Sequence, residues 1–370
     1  MKKFDAVIIG AGPAGMMAAI RAAERGREIL LIERNKSPGR KLLMSGGERC
    51  NLTNICEMEN FIAEFSESRD FLRNAFARFF NRELISFFEK NGLRLKTEED
   101  GRIFPESGSS ADVLEALKSK LKNTTILYNE RVREVIVKGS RIEGILTSSG
   151  KKFLTLHVVI ATGGLSYPET GSTGDGYNIA RKLGHSIVEL RPALTPIITK
   201  ERFIKDWQGI SLKDVRLTLF GNNKKIIEIS GDIIFTHFGL SGPAVLDISG
   251  SIYDVLKLKN RATVAVNLMP GKDIDAILLE KFKASPAKGI KNICRDIIPN
   301  KIVKGFLASC AVDEDRKANQ VSSEQRRRLI EGLSHLRLAV KGVMPIKNAM
   351  VTRGGVDSVF YRHYTLYGQS

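Results

Sequence analysis

Ala6-Val7-Ile8-Ile9 is a short, wholly apolar run, the pattern of a parallel strand covered on both faces. It runs straight into Gly10-Ala11-Gly12-Pro13-Ala14-Gly15 and then a helical pattern from Met16 to Arg25 that stops at Gly26. Glu28-Ile29-Leu30-Leu31-Ile32-Glu33 predicts a second buried strand ending in an acid. Between Phe71 and Lys90, apolar residues fall at 72, 76, 79, 80, 84, 87 and 88, one face of a single amphipathic helix stopped by Asn91-Gly92. Another helix is predicted from Ser110 to Leu121, capped by Ser109 or Ser110. Strands follow at Thr125–Tyr128, Val132–Lys138, Ile142–Thr147 and Phe153–Ile160, then a helix over Tyr177–Leu183.

After Pro192 the texture changes. Leu194–Ile198, Val215–Phe220, Ile226–Ile229 and Ala262–Met269 are short β-rich runs separated by Gly-Asn-Asn and similar turns, the pattern of an inserted antiparallel barrel or sheet. Residues 271–335 turn helical, with patterns at Ile274–Phe282, Ile290–Ile298, Lys301–Ala311 and Ser323–Leu333, and Arg337–Met344 returns to β character. The class is α/β. The chain carries no internal repeat and no low-complexity tract.

Within the first sixty residues each glycine has a mechanical reason. Gly10 permits the tight turn, Gly12 lets backbone approach a pyrophosphate, and Gly15 lets helix and strand pack closely. The following helix start, with Ala14 in its first turn, offers unpaired N–H groups and the positive end of its dipole to phosphates. Glu33, 18 residues after Gly15, is placed to accept ribose hydroxyls, which disfavours a 2′-phosphate there. This unit leaves FAD against NAD open. The basic loop after it, Gly39-Arg40-Lys41-Leu42-Leu43-Met44-Ser45-Gly46-Gly47-Glu48-Arg49-Cys50-Asn51-Leu52-Thr53-Asn54, is long enough to run back over an extended cofactor. It would set Arg40, Lys41 and Arg49 near phosphates and Ser45-Gly46-Gly47 near an isoalloxazine ring.

That loop resembles the GRKLLxSGxGRCNLTN-type signature of the HI0933-like (BaiN-like) family of bacterial FAD-dependent oxidoreductases. The likeness continues through Gly101-Arg102-Ile103-Phe104-Pro105, Ala161-Thr162-Gly163-Gly164, Gly171-Ser172-Thr173-Gly174-Asp175-Gly176, Phe235-Thr236-His237-Phe238-Gly239-Leu240-Ser241-Gly242-Pro243 and Val351-Thr352-Arg353-Gly354-Gly355-Val356. One departure is Glu48, where the family generally has Gly. The resemblance implies a Rossmann-like FAD-binding domain over 1–190 and 346–370, an inserted β domain over 191–270 and 336–345, and a helical insert over 271–335. It implies FAD as cofactor and NAD(P)H as electron donor. Hydride would then pass from flavin to a small organic acceptor of enone or steroid-like kind. The cofactor set it implies comprises Gly10, Gly12, Ala14, Gly15, Glu33, Arg34, Arg40, Lys41, Ser45, Gly46, Arg49, Asn51, Val132, Thr162, Gly163, Gly164 and Asp175. His237 is the candidate for a polar role near the acceptor. Beyond Val356, the segment from Asp357 to Ser370 does not follow the family's glycine-rich closing pattern and reads as an early ending.

The chain of 370 residues carries 58 Lys and Arg against 41 Asp and Glu, a formal charge of +17. Residues 1–190 hold 29 basic and 24 acidic side chains, and residues 191–370 hold 29 and 17. Both halves mix the signs, so the charge reads as a solvated surface with attraction for cofactor phosphates rather than nucleic-acid recognition. Arg326-Arg327-Arg328 is the densest cluster. The rival readings are a tRNA-modifying flavoprotein and an inactive fragment. Cys50, Cys56, Cys294 and Cys310 are too scattered for a zinc ribbon, a disulfide framework or a CxxC dithiol, so no metal is expected. No apolar run approaches the roughly 20 residues of a membrane span. With no secretory signal pattern, a cytoplasmic location is expected and Asn51-Leu52-Thr53 and Asn123-Thr124-Thr125 read as chance glycosylation matches.

Overall fold

A computed structural model describes residues 2–65, 69–258 and 260–358. Contacts divide the chain into two compact units, one of residues 1–190 with 354–370 and one of Arg191–Arg353.

The first unit is built on β1 (Ala6–Ile9), α1 (Pro13–Ala23), β2 (Ile29–Ile32), α2 (Arg40–Met44), β3 (Thr53–Asn54), α3 (Met58–Ala63), α4 (Arg69–Phe76), α5 (Asn81–Lys90), β4 (Leu95–Thr97), β5 (Arg102–Pro105) and α6 (Ser110–Ser119). It continues through β6 (Thr125–Leu127), β7 (Val132–Lys138), β8 (Arg141–Thr147), β9 (Lys152–Leu154), β10 (Val158–Ile160), α7 (Asp175–Lys182) and β11 (Ile187–Ala193), in which the unit ends. β10, β1, β2 and β6 form a parallel sheet in that order. Successive side chains of a strand point to opposite faces. Accordingly Ile8, Ile29 and Leu31 pack with Met16 and Ile20 of α1 and Val113 and Leu117 of α6, while Val7, Ile9, Leu30 and Ile32 pack with Val132, Ile145 and Ile179 on the other side. Both faces are therefore buried, which is why β1 and β2 read as continuous apolar runs.

Three expectations need correction. The helix predicted from Phe71 to Lys90 is two helices, α4 and α5, broken at residues 77–80. The Glu83 carboxylate accepts the Phe80 N–H at 2.9 Å, and the Asn81 amide donates to the carbonyls of Asn54 and Cys56, so a new helix starts on tertiary contacts that periodicity does not register. The single strand predicted over Phe153–Ile160 is β9 and β10, which join different sheets. Between them the Thr155 hydroxyl donates toward the carbonyls of Asp5 (3.3 Å) and His157 (3.1 Å). The loop after β2 contains the short helix α2. At α6 the cap is Ser109, whose hydroxyl accepts the Ala111 N–H.

The second unit contains β12 (Ile197–Thr199), β13 (Ser211–Gly221), β14 (Lys224–Phe235), β15 (Gly239–Ser241), α8 (Pro243–Lys257), β16 (Ala262–Asn267), α9 (Ile274–Ala284), α10 (Ile290–Arg295), α11 (Asn300–Ser309), α12 (Ser323–Ser334), β17 (Leu336–Val343) and β18 (Val351–Val356), the last crossing the unit boundary. Six strands close a barrel in the order β12, β15, β14, β13, β16, β17. The β13–β14 hairpin turns on Asn222 and Asn223, both with positive φ (49° and 66°), the geometry that matches strand twist. The sequence reading passed over α8, although Pro243 at its first turn and buried Ala244, Val245, Ile248, Ile252 and Val255 carry a helical spacing. These residues share one core with the barrel interior and with Leu278, Ile293, Phe306 and Leu333 of the four helices between β16 and β17. The last expectation, on the segment after Asp357, lies outside the described residues beyond Ser358.

Candidate functional site

The β1–α1 turn is shaped by what a methyl group would meet there. A Cβ on Gly15 would stand 1.9 Å from the carbonyl oxygen of Gly10, so that glycine is required by the fold alone. A Cβ on Gly10, at φ +101°, would stand 2.5 Å from the carbonyl of Ala161. Gly12 differs: its φ is −75° and a Cβ there would meet nothing within 4 Å. The fold itself gives no steric reason for glycine at 12, and the space beside it is open. α1 starts at this point with no side chain capping it and no acid in its first turn, and Ala14 is exposed. Its first N–H groups are left for an anion. The residues present thus fit a dinucleotide pyrophosphate.

Glu33 follows directly from β2 and is buried. One carboxylate oxygen accepts the Ala11 N–H at 2.8 Å, and the other accepts the backbone N–H and side-chain amide of Asn35 at 2.9 and 2.8 Å. Three of about four acceptor positions on a carboxylate are used, leaving one beside the turn for a hydroxyl. Asn35 also donates to the Thr170 carbonyl, and Arg40 donates to the Asn35 side-chain oxygen at 3.2 Å. The Gly39 N–H returns to the Ala11 carbonyl, tying the loop after β2 to the glycine turn.

The basic side chains expected along a phosphate path are engaged with the protein. Lys41 donates from its ammonium to the Ser166 carbonyl (2.6 Å) and hydroxyl (3.3 Å), and burial pushes its pKa down, partly offset by Glu169. Arg49 stacks over Phe104, 4.2 Å from the ring centroid, and pairs with Glu98 at 2.6 Å. Arg34 donates to the Thr173 hydroxyl and reaches Asp175 at 3.3 Å. Asp175 is gripped by Arg131, whose Nε and one terminal nitrogen each donate at 2.7 Å. Burial alone would raise the pKa of Asp175, but the bonds and charge of Arg131 together with Arg34 outweigh it and hold the carboxyl below its usual range. Arg131 and Asn35 are the partners that sequence reasoning missed; their contacts span 44 and 135 positions and carry no spacing signal.

Thr162, Gly163 and Gly164 follow β10. A Cβ on Gly163 would press on the Ser172 hydroxyl at 2.7 Å, and one on Gly176 would meet the Thr162 hydroxyl, so the small residues let two loops close on each other. The Ser45 hydroxyl donates to the Leu42 carbonyl. Gly46 has φ +59°, and a Cβ there would lie 3.0 Å from the exposed Asn51's N–H nitrogen. Glu48 occupies φ +68° in this loop, the left-handed region where a glycine would carry no Cβ penalty. Val132 is buried, with its side chain in the core, so only its backbone is available. His237 belongs to the second unit, exposed in the turn between β14 and β15, where the Thr236 hydroxyl accepts the Gly239 N–H. Among the described residues, no group of three or more His, Cys, Asp or Glu side chains could hold a metal, and no helix is long and apolar enough to cross a membrane.

A strand–turn–helix with an uncapped helix start, a glycine facing open space and a buried acid at the end of the next strand defines a dinucleotide-binding α/β protein. The HI0933-like protein Rossmann domain model matches residues 4–366, and the chain belongs to that family of flavoprotein oxidoreductases. It is 32% identical over 97% of its length, and 86% of the relative's, to an Escherichia coli protein named ribosomal RNA dihydrouridine synthase. A Haemophilus influenzae protein of the same name is 30% identical over 95% of this chain and 86% of its own. A Clostridium scindens protein named 3-dehydro-bile acid delta(4,6)-reductase is 28% identical over 94% of this chain and 86% of its own.

Proposed function

We propose that this FAD-dependent oxidoreductase reduces a carbon–carbon double bond conjugated to a carbonyl, and that its acceptor is a uracil base in RNA. The open space facing Gly12 carries the cofactor part of the reading. The names of the two relatives at 32% and 30% identity support the acceptor part. FAD, when bound and reduced by NAD(P)H, would supply hydride to one carbon of such a bond, and a proton completes the other. In this reading the N–H groups around Gly10, Gly12, Ala14 and Gly15 hold the pyrophosphate and the free acceptor position of Glu33 takes a ribose hydroxyl. The backbone at Val132 lies along the adenine end, with Arg34 and Asp175 beside it. Arg40, Lys41 and Arg49 brace the loop of Ser45, Gly46 and Asn51, while Thr162, Gly163 and Gly164 make a wall without bulk. NAD(P)H is the proposed electron donor, and His237 the proposed polar partner of the acceptor.

A free enone is the second reading, supported by the relative named as a bile-acid reductase. The C5=C6 bond of uracil conjugated to its C4 carbonyl is the same chemical unit, so one flavin site suits either. The test is to purify the protein, confirm flavin absorbance, reduce it anaerobically with NADH or NADPH, and then add uridine-containing RNA or a steroid enone. Reoxidation with a gain of two hydrogens on uridine by mass spectrometry is the expected result. Reoxidation by the enone alone transfers the activity to the second reading, and reoxidation by neither overturns both.

A further inference from the structure

The second unit holds 28 Lys and Arg against 16 Asp and Glu, a net charge of +12. In its helices much of this charge is paired internally: Arg326 with Asp275 at 2.9 Å, Lys288 with Asp296 at 2.7 Å, Lys291 with Glu314 at 2.6 Å. On the barrel, part of it carries no ion pair among the described residues. Strand register brings Arg337 and Ala339 of β17 opposite Ala265 and Thr263 of β16, and those opposite Thr218 and Phe220 of β13. Arg216 lies opposite Asn267, one step along. The intervening Leu217, Leu219, Val264, Val266 and Leu338 are fully buried in the barrel core, so this set faces outward. Lys341 is exposed further along β17, at a register shift in its pairing with β12.

The middle of this face is small, with half-buried Thr263 and Ala339 beside Thr218 and Ala265, which are buried. At its side the half-buried Phe220 ring lies under the Arg337 guanidinium, 5.4 Å from the centroid. Arg216, Arg337 and Lys341 are exposed and form no ion pair among the described residues. The edge toward β14 carries Lys225 paired with Glu228 at 3.0 Å, and Glu228 also accepts the Thr218 hydroxyl. A floor of small residues, one aromatic ring and three exposed cations, of which Arg216 is partly offset by the charge of Glu228, form a surface complementary to a single-stranded polyanion with stackable bases.

We infer that the outer face of the barrel formed by β13, β16 and β17 docks single-stranded RNA, with Phe220 and Arg337 stacking on a base and Arg216 and Lys341 contacting phosphates. This rests on the RNA reading of the acceptor. The test is fluorescence anisotropy of the flavin-loaded protein with a labelled oligouridylate at several salt concentrations, alongside dihydrouridine formation on the same RNA. The double variant R216E/K341E is expected to flatten the dependence of log affinity on log salt by about 1.4, at about 0.7 per lost phosphate contact. F220A is expected to weaken binding about tenfold through lost stacking. R327E, on an exposed residue of α12, makes a charge change outside this face and is expected to bind as the parent does. Parent-like binding by R216E/K341E, an equal loss in R327E, or no binding of RNA at low salt overturns the docking face. The double variant sits on solvent-facing positions and tests the proposal even if F220A fails to fold. Normal docking without dihydrouridine overturns the acceptor reading and leaves the docking face standing. Normal dihydrouridine yield with the face reversed does the opposite.

Discussion

At the β1–α1 turn the groups offered to phosphate are backbone N–H groups at an uncapped helix start, and the nearby carboxylate, Glu33, is buried and bonded three times. On the barrel's outer face the groups offered are exposed side chains, Arg216, Arg337 and Lys341, free of ion pairs among the described residues. Backbone donors in a fixed turn are preorganised and act over short distances. Mobile cations act over a Debye length and are screened by salt. The first arrangement suits a resident cofactor held in one pose, and the second a large polyanion that must be gathered and released. The same contrast appears in the carboxylates of the first unit: Glu33, Asp175 and Glu130 are each held by two or more donors.

The largest expected effect comes from Gly12→Val. Its side chain enters only the open space at the turn, so flavin affinity should fall by on the order of a hundredfold, about 3 kcal/mol, while the melting temperature of the flavin-free protein stays unchanged. Gly15→Ala should do the reverse first, lowering the melting temperature of the flavin-free protein because the new methyl meets the Gly10 carbonyl. Absorbance spectra and thermal melts of both variants separate the two. Full flavin occupancy in Gly12→Val would remove the backbone half of the comparison.

Salt provides the next break point. Two phosphate contacts at about 0.7 each predict that RNA affinity drops about sevenfold as salt rises from about 50 to about 200 mM. Flavin occupancy over that range should hold constant, since no free cation grips it. A steep salt dependence of flavin release, measured by filtration and absorbance, would show that Lys41 or Arg49 leaves its internal partner to hold phosphate.

These two regions also differ in how far they can be read from residues alone. The glycine turn is legible because its parts lie within thirty residues and each obeys a local rule of turn, helix start or strand end. The barrel face was not, because Phe220, Ala265 and Arg337 meet only through register between strands separated by the helices α9 to α12. The triple arginine at 326–328 is the densest basic cluster along the chain, yet one of its members is neutralised by Asp275. Helix α8 has a sound helical spacing, but it lies inside a β-rich stretch whose texture masks it. The break between α4 and α5 left no mark in a Phe-rich stripe that keeps its period across it; Asn81 and Glu83 set the boundary through bonds that only the fold supplies.

A smaller effect is expected at Glu33. Glutamine there keeps one acceptor oxygen but must aim an amide N–H at either Ala11 or Asn35, both donors to the native carboxylate. Flavin dissociation should rise about tenfold, about 1.4 kcal/mol, with little change in salt response. Titration of the flavin-free variant with FAD measures it. An unchanged affinity would detach Glu33 from the cofactor and leave it a brace for the turn.

The smallest effect lies at Glu130, one residue before Arg131 and bonded through its N–H to the Glu33 carbonyl. Burial would raise the pKa of this carboxyl, but the Ser149 hydroxyl at 2.7 Å, the Lys151 ammonium at 3.0 Å and Thr147 outweigh it and bring the value to about 2, against 4.5 for an unperturbed glutamate. A carboxyl depressed in the folded state stabilises fully above its unfolded pKa and loses that contribution as pH falls through the folded one. The contribution is therefore complete above about pH 4.5 and fades toward about pH 2. Glu130→Gln should cost about 1.5–3 kcal/mol near neutral pH, the range for a hydrogen bond to a charged group. The gap from the parent in urea midpoint should shrink as pH drops below about 4. A gap that stays constant down to about pH 3 would mean that Glu130 acts by shape and not by charge, and it would take this carboxylate out of the contrast with the exposed cations of the barrel.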